Sequence, residues 1–231
     1  MSDFKKSIRT AARSILAHGT PAPLFAEKKI AIVGLPRSGS SWLAKAVSLA
    51  KSVSYYFEPD NLLDKRYMYR YLSAESNDEF LKQQIELHTA GNIVHSYVIS
   101  EQDLGNLLSR PLCKTVLVKW VRMVLSMDWV AKNFPDLKVV QIIRHPVPQF
   151  LSWEERGWDP AFNLSILTAQ DELMGGPLRP YSDIIFQSET YWEKAAAFWA
   201  SVARIQYDSH RDGWLFREHE WYCMDAAANI H

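Results

Sequence analysis

Residues 29–50, Lys-Ile-Ala-Ile-Val-Gly-Leu-Pro-Arg-Ser-Gly-Ser-Ser-Trp-Leu-Ala-Lys-Ala-Val-Ser-Leu-Ala, constrain the fold more than any other stretch. Ile30 to Val33 form a wholly apolar run rich in β-branched residues, which suits a strand covered on both faces. Gly34 ends it. Beyond Ser41, the residues Leu43, Ala46, Val47 and Ala50 recur at the spacing of a helix packed on a sheet. Between strand and helix, Gly34-Leu-Pro-Arg-Ser-Gly39-Ser-Ser41 lets successive backbone N–H groups turn towards one point at a helix N-terminus. Such a turn is an anion site.

The kind of anion follows from what this loop lacks. A nucleoside-triphosphate loop reads G-x-x-x-x-G-K-[ST], with the Lys on the outer phosphates and the hydroxyl on Mg²⁺. Gly34 and Gly39 have that separation, but Ser40 stands where the Lys would be, and the loop's one cation is Arg37. The loop suits a less charged group than a metal triphosphate, such as one phosphate ester bearing a sulfuryl group. A pair of glycines alone can mark any tight strand-to-helix turn. Strand, loop, Arg and capping hydroxyls in this order make that blander reading the weaker one.

Pro36-Arg37-Ser38-Gly39-Ser40-Ser41-Trp42 resembles the loop of the sulfotransferases, Pro-[Lys/Arg]-Ser-Gly-[Ser/Thr]-[Ser/Thr]-Trp. That family moves the sulfuryl group of 3′-phosphoadenosine 5′-phosphosulfate (PAPS) to a hydroxyl or amine and releases adenosine 3′,5′-bisphosphate (PAP). A second signature of the family is a strand ending in Arg with a Ser eight residues later. Residues 137–144, Leu-Lys-Val-Val-Gln-Ile-Ile-Arg, followed by His145-Pro146 and Ser152, supply it. A nucleoside triphosphatase favours an Asp at such a strand end to hold Mg²⁺. The resemblance implies that Arg144 and Ser152 hold the 3′-phosphate, where a guanidinium gives planar, paired contacts. It implies that Ser38, Gly39, Ser40 and Ser41 hold the 5′-phosphate, that Trp42 stacks on the adenine, and that Arg37 offsets charge on the bridging oxygen. The implied fold is α/β, a three-layer P-loop-like arrangement with a central parallel sheet flanked by helices.

Val53 to Phe57 reads as a second strand, and Pro59 with Asn61 leaves Glu58 at its C-terminal end, the edge where open α/β sheets bind ligands. A strand-end Glu is commonly just solvated, yet sulfuryl transfer needs a base within reach of the acceptor hydroxyl. In the carbohydrate and tyrosyl branches of the resembled family a Glu at this place is that base. A third strand at 115–121 contains Lys119, where the cytosolic branch carries Lys-Thr-His with the His as base. Here the chain reads Lys119-Trp120-Val121, which removes the His and strengthens the case for Glu58. Lys119 is a candidate cation near the sulfuryl group or a solvated strand-end Lys, and Arg122 has the same two readings.

At 231 residues with 48% hydrophobic content, the chain can bury a core as one domain over 1–231. Twenty-six basic and 26 acidic residues cancel, so no global field gathers nucleic acid. Residues 1–25 put Phe4, Ile8, Ala12 and Ile15 on one basic amphipathic face; a helix docked on the domain is expected, with a membrane-surface helix or transit peptide as alternatives. No stretch reads as a membrane span or a signal peptide. Cys113 and Cys223 match no metal or redox spacing, and two reduced, buried thiols in a cytoplasmic protein are expected. No metal site is expected, and His88 and His95 form no ligand constellation. Residues 61–110 are largely helical in pattern and dense in Tyr, and residues 154–183 are expected to be a mobile lid or acceptor loop. Residues 192–203 mark an amphipathic helix, and residues 214–220 resemble the strand and acidic turn that close the family's sheet.

The resembled family continues beyond that element into a Gly-rich basic loop over the nucleotide, which this sequence does not show. The expected activity is transfer of a sulfuryl group from PAPS to a hydroxyl or amine of a glycan or small-molecule acceptor, without a metal. The alternatives are a nucleotide-binding module without turnover and a Mg-dependent nucleotide kinase. The acceptor and the oligomeric state are not specified by the sequence.

Overall fold

In the computed structural model, residues 11–225 are described apart from positions 14, 17, 51 and 103. Five parallel strands form one sheet: β1 (Lys28–Val33), β2 (Val53–Phe57), β3 (Thr115–Trp120), β4 (Lys138–Ile143) and β5 (Leu215–Glu218), in the order β2-β3-β1-β4-β5. Seven helices matter for the site: α1 (Ser40–Ser48), α2 (Glu79–Ala90), α3 (Met127–Asn133), α4 (Pro146–Glu154), α5 (Pro160–Thr168), α6 (Tyr191–Asp208) and α7 (His219–Met224). The α/β fold expected from the sequence is the one observed.

The period-2 pleat divides β1 between two cores. Ile30 and Ile32 pack with Leu43 and Ala44 of α1 and Tyr222 of α7 on one face. Ala31 and Val33 pack on the other with Leu81 and Ile85 of α2, Trp129 of α3, and Phe198 and Val202 of α6. Covered on both sides, the inner strands need continuous apolar runs, and they have them. The chain leaves β1 towards β2 but leaves β3 across β1 towards β4, so β1 and β3, paired Val33 to Trp120, part in opposite directions. Between the carboxyl ends of two such strands a crevice is left for a ligand.

Three expectations need correction. The segment expected to be largely helical over 61–110 holds α2, a short helix at Leu104–Ser109 and short 3₁₀ turns; the stretches between them are irregular. The expected loop at 154–183 is mostly helical, with α5 followed by short helices at Asp171–Gly175 and Ser182–Phe186. Its prolines misled because Pro160 starts a helix, preceded by Asp159 whose carboxylate accepts the Ala161 N–H at 2.8 Å. Of the two free thiols, Cys113 is buried and Cys223 is exposed on the short α7. Of the N-terminal amphipathic stripe, Phe4 and Ile8 lie outside the described residues; positions 11–13, 15, 16, 18 and 19 are helical. No helix among the described residues is long and apolar enough to cross a membrane.

His88 of α2 is 2% exposed, its ring 6.3 Å from that of Trp120, and its Nδ1 has no hydrogen-bond partner. Burial pushes its pKa down to about 3. In the unfolded chain the imidazole protonates near pH 6.5, so stability present above that pH is lost as pH falls towards 3, at about 1.4 kcal/mol per pH unit. His88→Phe keeps an aromatic ring in place without a protonation site. Urea unfolding at pH 7 and pH 5 is expected to show a smaller acid loss in the variant, and an equal loss in both proteins would relieve His88 of this role.

Candidate functional site

A cleft of about 970 Å³ opens at the carboxyl edge of the sheet, where β1, β2, β3 and β4 all end. Pro36, Arg37, Gly39, Ser40, Ser41 and Trp42 line one part of it; Glu58 and Lys119 line another, and Arg144 and His219 also face it.

The loop after β1 is tightly determined. A Cβ on Gly34 would lie 2.5 Å from the Ile142 carbonyl oxygen, a backbone atom that cannot step aside, so only glycine lets β1 pass so close to β4. Arg37 (φ 69°) and Gly39 (φ 89°) both take left-handed backbone conformations, and a Cβ on Gly39 would overlap the His219 ring. A non-glycine residue at such a φ is strained and is held only where its surroundings impose it. In α1 the first-turn N–H groups of Ser40, Ser41 and Trp42 precede any carbonyl that could pair with them inside the helix, and they open at this loop.

Of the predicted anion-binding residues, Arg37, Gly39, Ser40, Ser41, Trp42 and Arg144 line the cleft. Ser38 is 1% exposed and does not; its hydroxyl donates to Ser40 Oγ at 3.3 Å, and its N–H donates to the Leu35 carbonyl at 3.1 Å. Ser38 therefore braces the loop from behind. Arg37 Nε donates to Ser152 Oγ at 2.9 Å, and Arg144 donates from a terminal guanidinium nitrogen to the Arg37 carbonyl at 3.2 Å. Arg144, Arg37 and Ser152 thus form one chain of contacts, with Ser152 joined to Arg37 rather than to Arg144 directly. Arg144 Nε is buried and has no partner. Two donors from α4 hold the loop's Pro36 carbonyl, Gln149 Nε2 at 2.9 Å and Trp153 Nε1 at 3.1 Å.

At the other end of the cleft Lys119 is 2% exposed and forms an ion pair with Glu58, whose side chain is 14% exposed. Neither is a solvated strand-end residue. Phe57 pairs with Lys119 across β2 and β3, and the Lys119 ammonium lies 4.9 Å from the Phe57 ring centre. Glu58 also has a positive φ, 43°, and its other oxygen accepts from Asn61 Nδ2 at 2.6 Å and from the Tyr97 hydroxyl. Burial raises the pKa of Tyr97, with Glu58 adding to the shift, so this hydroxyl stays a donor. The carboxylate is held from three sides.

Asp60, 0% exposed, fixes the two strand ends together. One of its oxygens accepts the N–H groups of Val121 at 2.7 Å, Arg122 at 2.6 Å and Met123 at 3.3 Å. Desolvation pushes its pKa up to about 6, opposed by the Arg122 and Val121 N–H bonds. The sequence reading missed Asp60, Asn61 as a partner of Glu58, Tyr97 and His219. The last carried a readable signal, because a polar residue directly after β5 must fall at the ligand edge of a parallel sheet. The Asp60 contacts join residues about 60 positions apart in sequence, and no local pattern announces them.

The model of the sulfotransferase family matches residues 29–154, more than half of the chain, a span that contains every predicted site residue from Arg37 to Ser152. No curated protein sequence matches. Among solved structures the chain is similar to a sulfotransferase from Alicyclobacillus acidocaldarius, at 13% identity over 89% of this chain and 78% of that one, with a TM-score of 0.44. It is also similar to the sulfotransferase domain from the curacin biosynthetic pathway, at 14% identity over 87% and 70%, with a TM-score of 0.47. A sulfotransferase from Mycobacterium tuberculosis H37Rv gives 14% identity over 93% and 68%, with a TM-score of 0.34. The family match spans the strand, the anion loop, Glu58, Lys119 and the Arg144 strand end together, and the chain belongs to the sulfotransferase family.

Proposed function

We propose that this sulfotransferase takes its sulfuryl group from PAPS and passes it to a hydroxyl held at Glu58. The observation that carries this reading is that one cleft contains both an anion loop flanked by Arg37 and Arg144 and an oriented carboxylate, Glu58, paired with Lys119. The donor fits the residues present. First-turn N–H groups and the Ser40 and Ser41 hydroxyls suit a 5′-phosphate, and the Arg144 guanidinium at the cleft suits a second phosphate. Trp42 is 42% exposed at the cleft, a ring face available to a base.

When bound, the nucleotide supplies a sulfuryl group activated on its 5′-phosphate. Glu58 takes the acceptor's proton as the acceptor oxygen bonds to sulfur. The electron pair of the broken S–O bond stays on the phosphate oxygen, where Arg37 offsets its charge. Lys119 has a dual part. Once Glu58 is protonated, its charge no longer holds the ammonium, and Lys119 becomes a free cation at the moment negative charge develops nearby. Asn61 and Tyr97 keep Glu58 aimed throughout.

Ser40 in place of a P-loop Lys and Arg144 in place of a strand-end Asp leave the metal triphosphate without its usual partners. Calorimetry is expected to give tight binding of PAP and weak binding of ATP with Mg²⁺. Labelled sulfuryl transfer from PAPS is expected to persist in EDTA. Strict Mg²⁺ dependence would move the assignment to a nucleotide kinase, and PAP binding without transfer to any acceptor would move it to a binding module.

A further inference from the structure

Beyond the Glu58–Lys119 pair, the cleft is walled by Phe57, Met68, Tyr69, Trp158 and Phe162. This surface is aromatic and apolar. Five cations line the cleft, Arg37, Lys119, Arg122, Arg144 and Arg156, against two carboxylates, Glu58 and Asp159. Both carboxylates are engaged, Glu58 by Lys119 and Asp159 by the first turn of α5. Arg37 and Arg144 are joined at the anion loop. That leaves Arg122 and Arg156 with no carboxylate partner among the described residues. Arg156 is exposed and lies over the Trp158 ring at 5.8 Å.

Arg122 is the better placed of the two. Its backbone is pinned by Asp60, and its charge lies close enough to the buried Tyr69 hydroxyl to oppose the rise in that group's pKa. Glu58 follows β2 and Arg122 follows β3, and neighbouring strands run about 4.8 Å apart. A proton acceptor and a guanidinium that both line one aromatic cleft fit a particular kind of molecule.

Resting on the sulfotransferase reading above, we propose that the acceptor is a small hydroxyaryl carboxylate. Its hydroxyl meets Glu58, its ring packs between Phe57 and Tyr69, and its carboxylate pairs with the Arg122 guanidinium, with Arg156 adding positive charge at the outer wall. A guanidinium matches a carboxylate in plane, with two parallel hydrogen bonds. In the transfer, the acceptor O–H bond breaks to Glu58, the O–S bond forms, and the nucleotide phosphate leaves with the S–O electron pair. The carboxylate takes no part in the chemistry.

The full chain is first titrated with PAP. With PAP saturating, para-hydroxybenzoate, para-hydroxyphenylacetate and para-hydroxyphenylpropanoate are each compared with their uncharged amides, by calorimetry and by sulfuryl transfer. At least one acid is expected to bind about tenfold or more tighter than its amide. Arg122→Gln is expected to abolish that preference while PAP affinity stays within about twofold, and Arg122→Lys, which keeps the charge, to retain part of it. Thermal melts confirm that both variants are folded, and the Lys variant keeps the test open if Gln does not fold. Equal binding of acids and amides, or an Arg122→Gln loss shared equally by PAP, would overturn the proposal. Absent PAP binding in the wild type would overturn the donor reading instead, and this proposal with it.

Discussion

Glu58→Gln is expected to leave PAP affinity within about twofold and to lower kcat by ~10²–10⁴-fold, the range for loss of a general base. Gln keeps the size of the side chain and one oxygen that can still accept from Lys119, but it cannot take a proton from the acceptor. The loss should therefore fall on turnover and spare ground-state binding.

The ion pair complicates this substitution in a way that can be measured. Lys119 is 2% exposed, and taking away its carboxylate leaves a buried ammonium without a counter-charge. Breaking a buried pair from one side costs about 3–5 kcal/mol, less here because the amide oxygen remains as an acceptor. A lower Tm is thus expected alongside the lost turnover, and rates must be compared well below both melting temperatures. Near-normal kcat in a folded Glu58→Gln protein would remove Glu58 from the mechanism and make Lys119 the next group to test. Tyr97→Phe separates aim from chemistry: it removes one donor to Glu58, and it should lower kcat by much less than Glu58→Gln does.

The parts of this site that the sequence revealed are those written in one contiguous pattern. The apolar run of β1, its two glycines and the stripe of α1 declare a strand, an anion loop and a helix within 22 residues, because each requirement is local. Arg144 was legible for the same reason, at the sharp end of an apolar strand before Pro146. Glu58 was placed at the right edge, and the structure removes the solvated reading by burying it against Lys119, while its role as base remains the proposal made above. What makes the carboxylate's position definite lies outside any local pattern. Tyr97 comes from an irregular segment after α2, and Asp60 spans from the end of β2 to the end of β3.

The misread segment after α4 has a physical explanation as well. Pro160 and Pro177 punctuate the segment as they would a loop, yet Pro160 occupies the first position of α5. A missing N–H costs nothing there, because the first-turn N–H groups are unpaired in any helix. The result is a wall in which Phe162 sits on α5 and Trp158 directly before its N-cap, giving this side of the cleft a defined shape.

Arg144→Ala is expected to weaken PAP by roughly 10–150-fold, equivalent to about 1.5–3 kcal/mol for a charge-assisted contact, and to weaken its 3′-dephospho analogue far less. Arg144 has two jobs that the pair of ligands can separate. It donates to the Arg37 carbonyl at 3.2 Å and so props a loop residue with φ of 69°, while its Nε remains buried and unpartnered. Loss of the prop alone would disturb the 5′-phosphate loop and weaken both nucleotides equally. Loss of a phosphate contact acts only on the one with a 3′-phosphate. Arg144→Lys keeps the charge but not the planar pair of donors, and it should recover part of the discrimination. Ser152→Ala should act differently again: its hydroxyl accepts from Arg37 Nε, so its effect should follow that of Arg37 substitutions on both nucleotides. Equal losses for the two nucleotides in Arg144→Ala would leave Arg144 as a support of the loop and return the 3′-phosphate to another cation of the cleft.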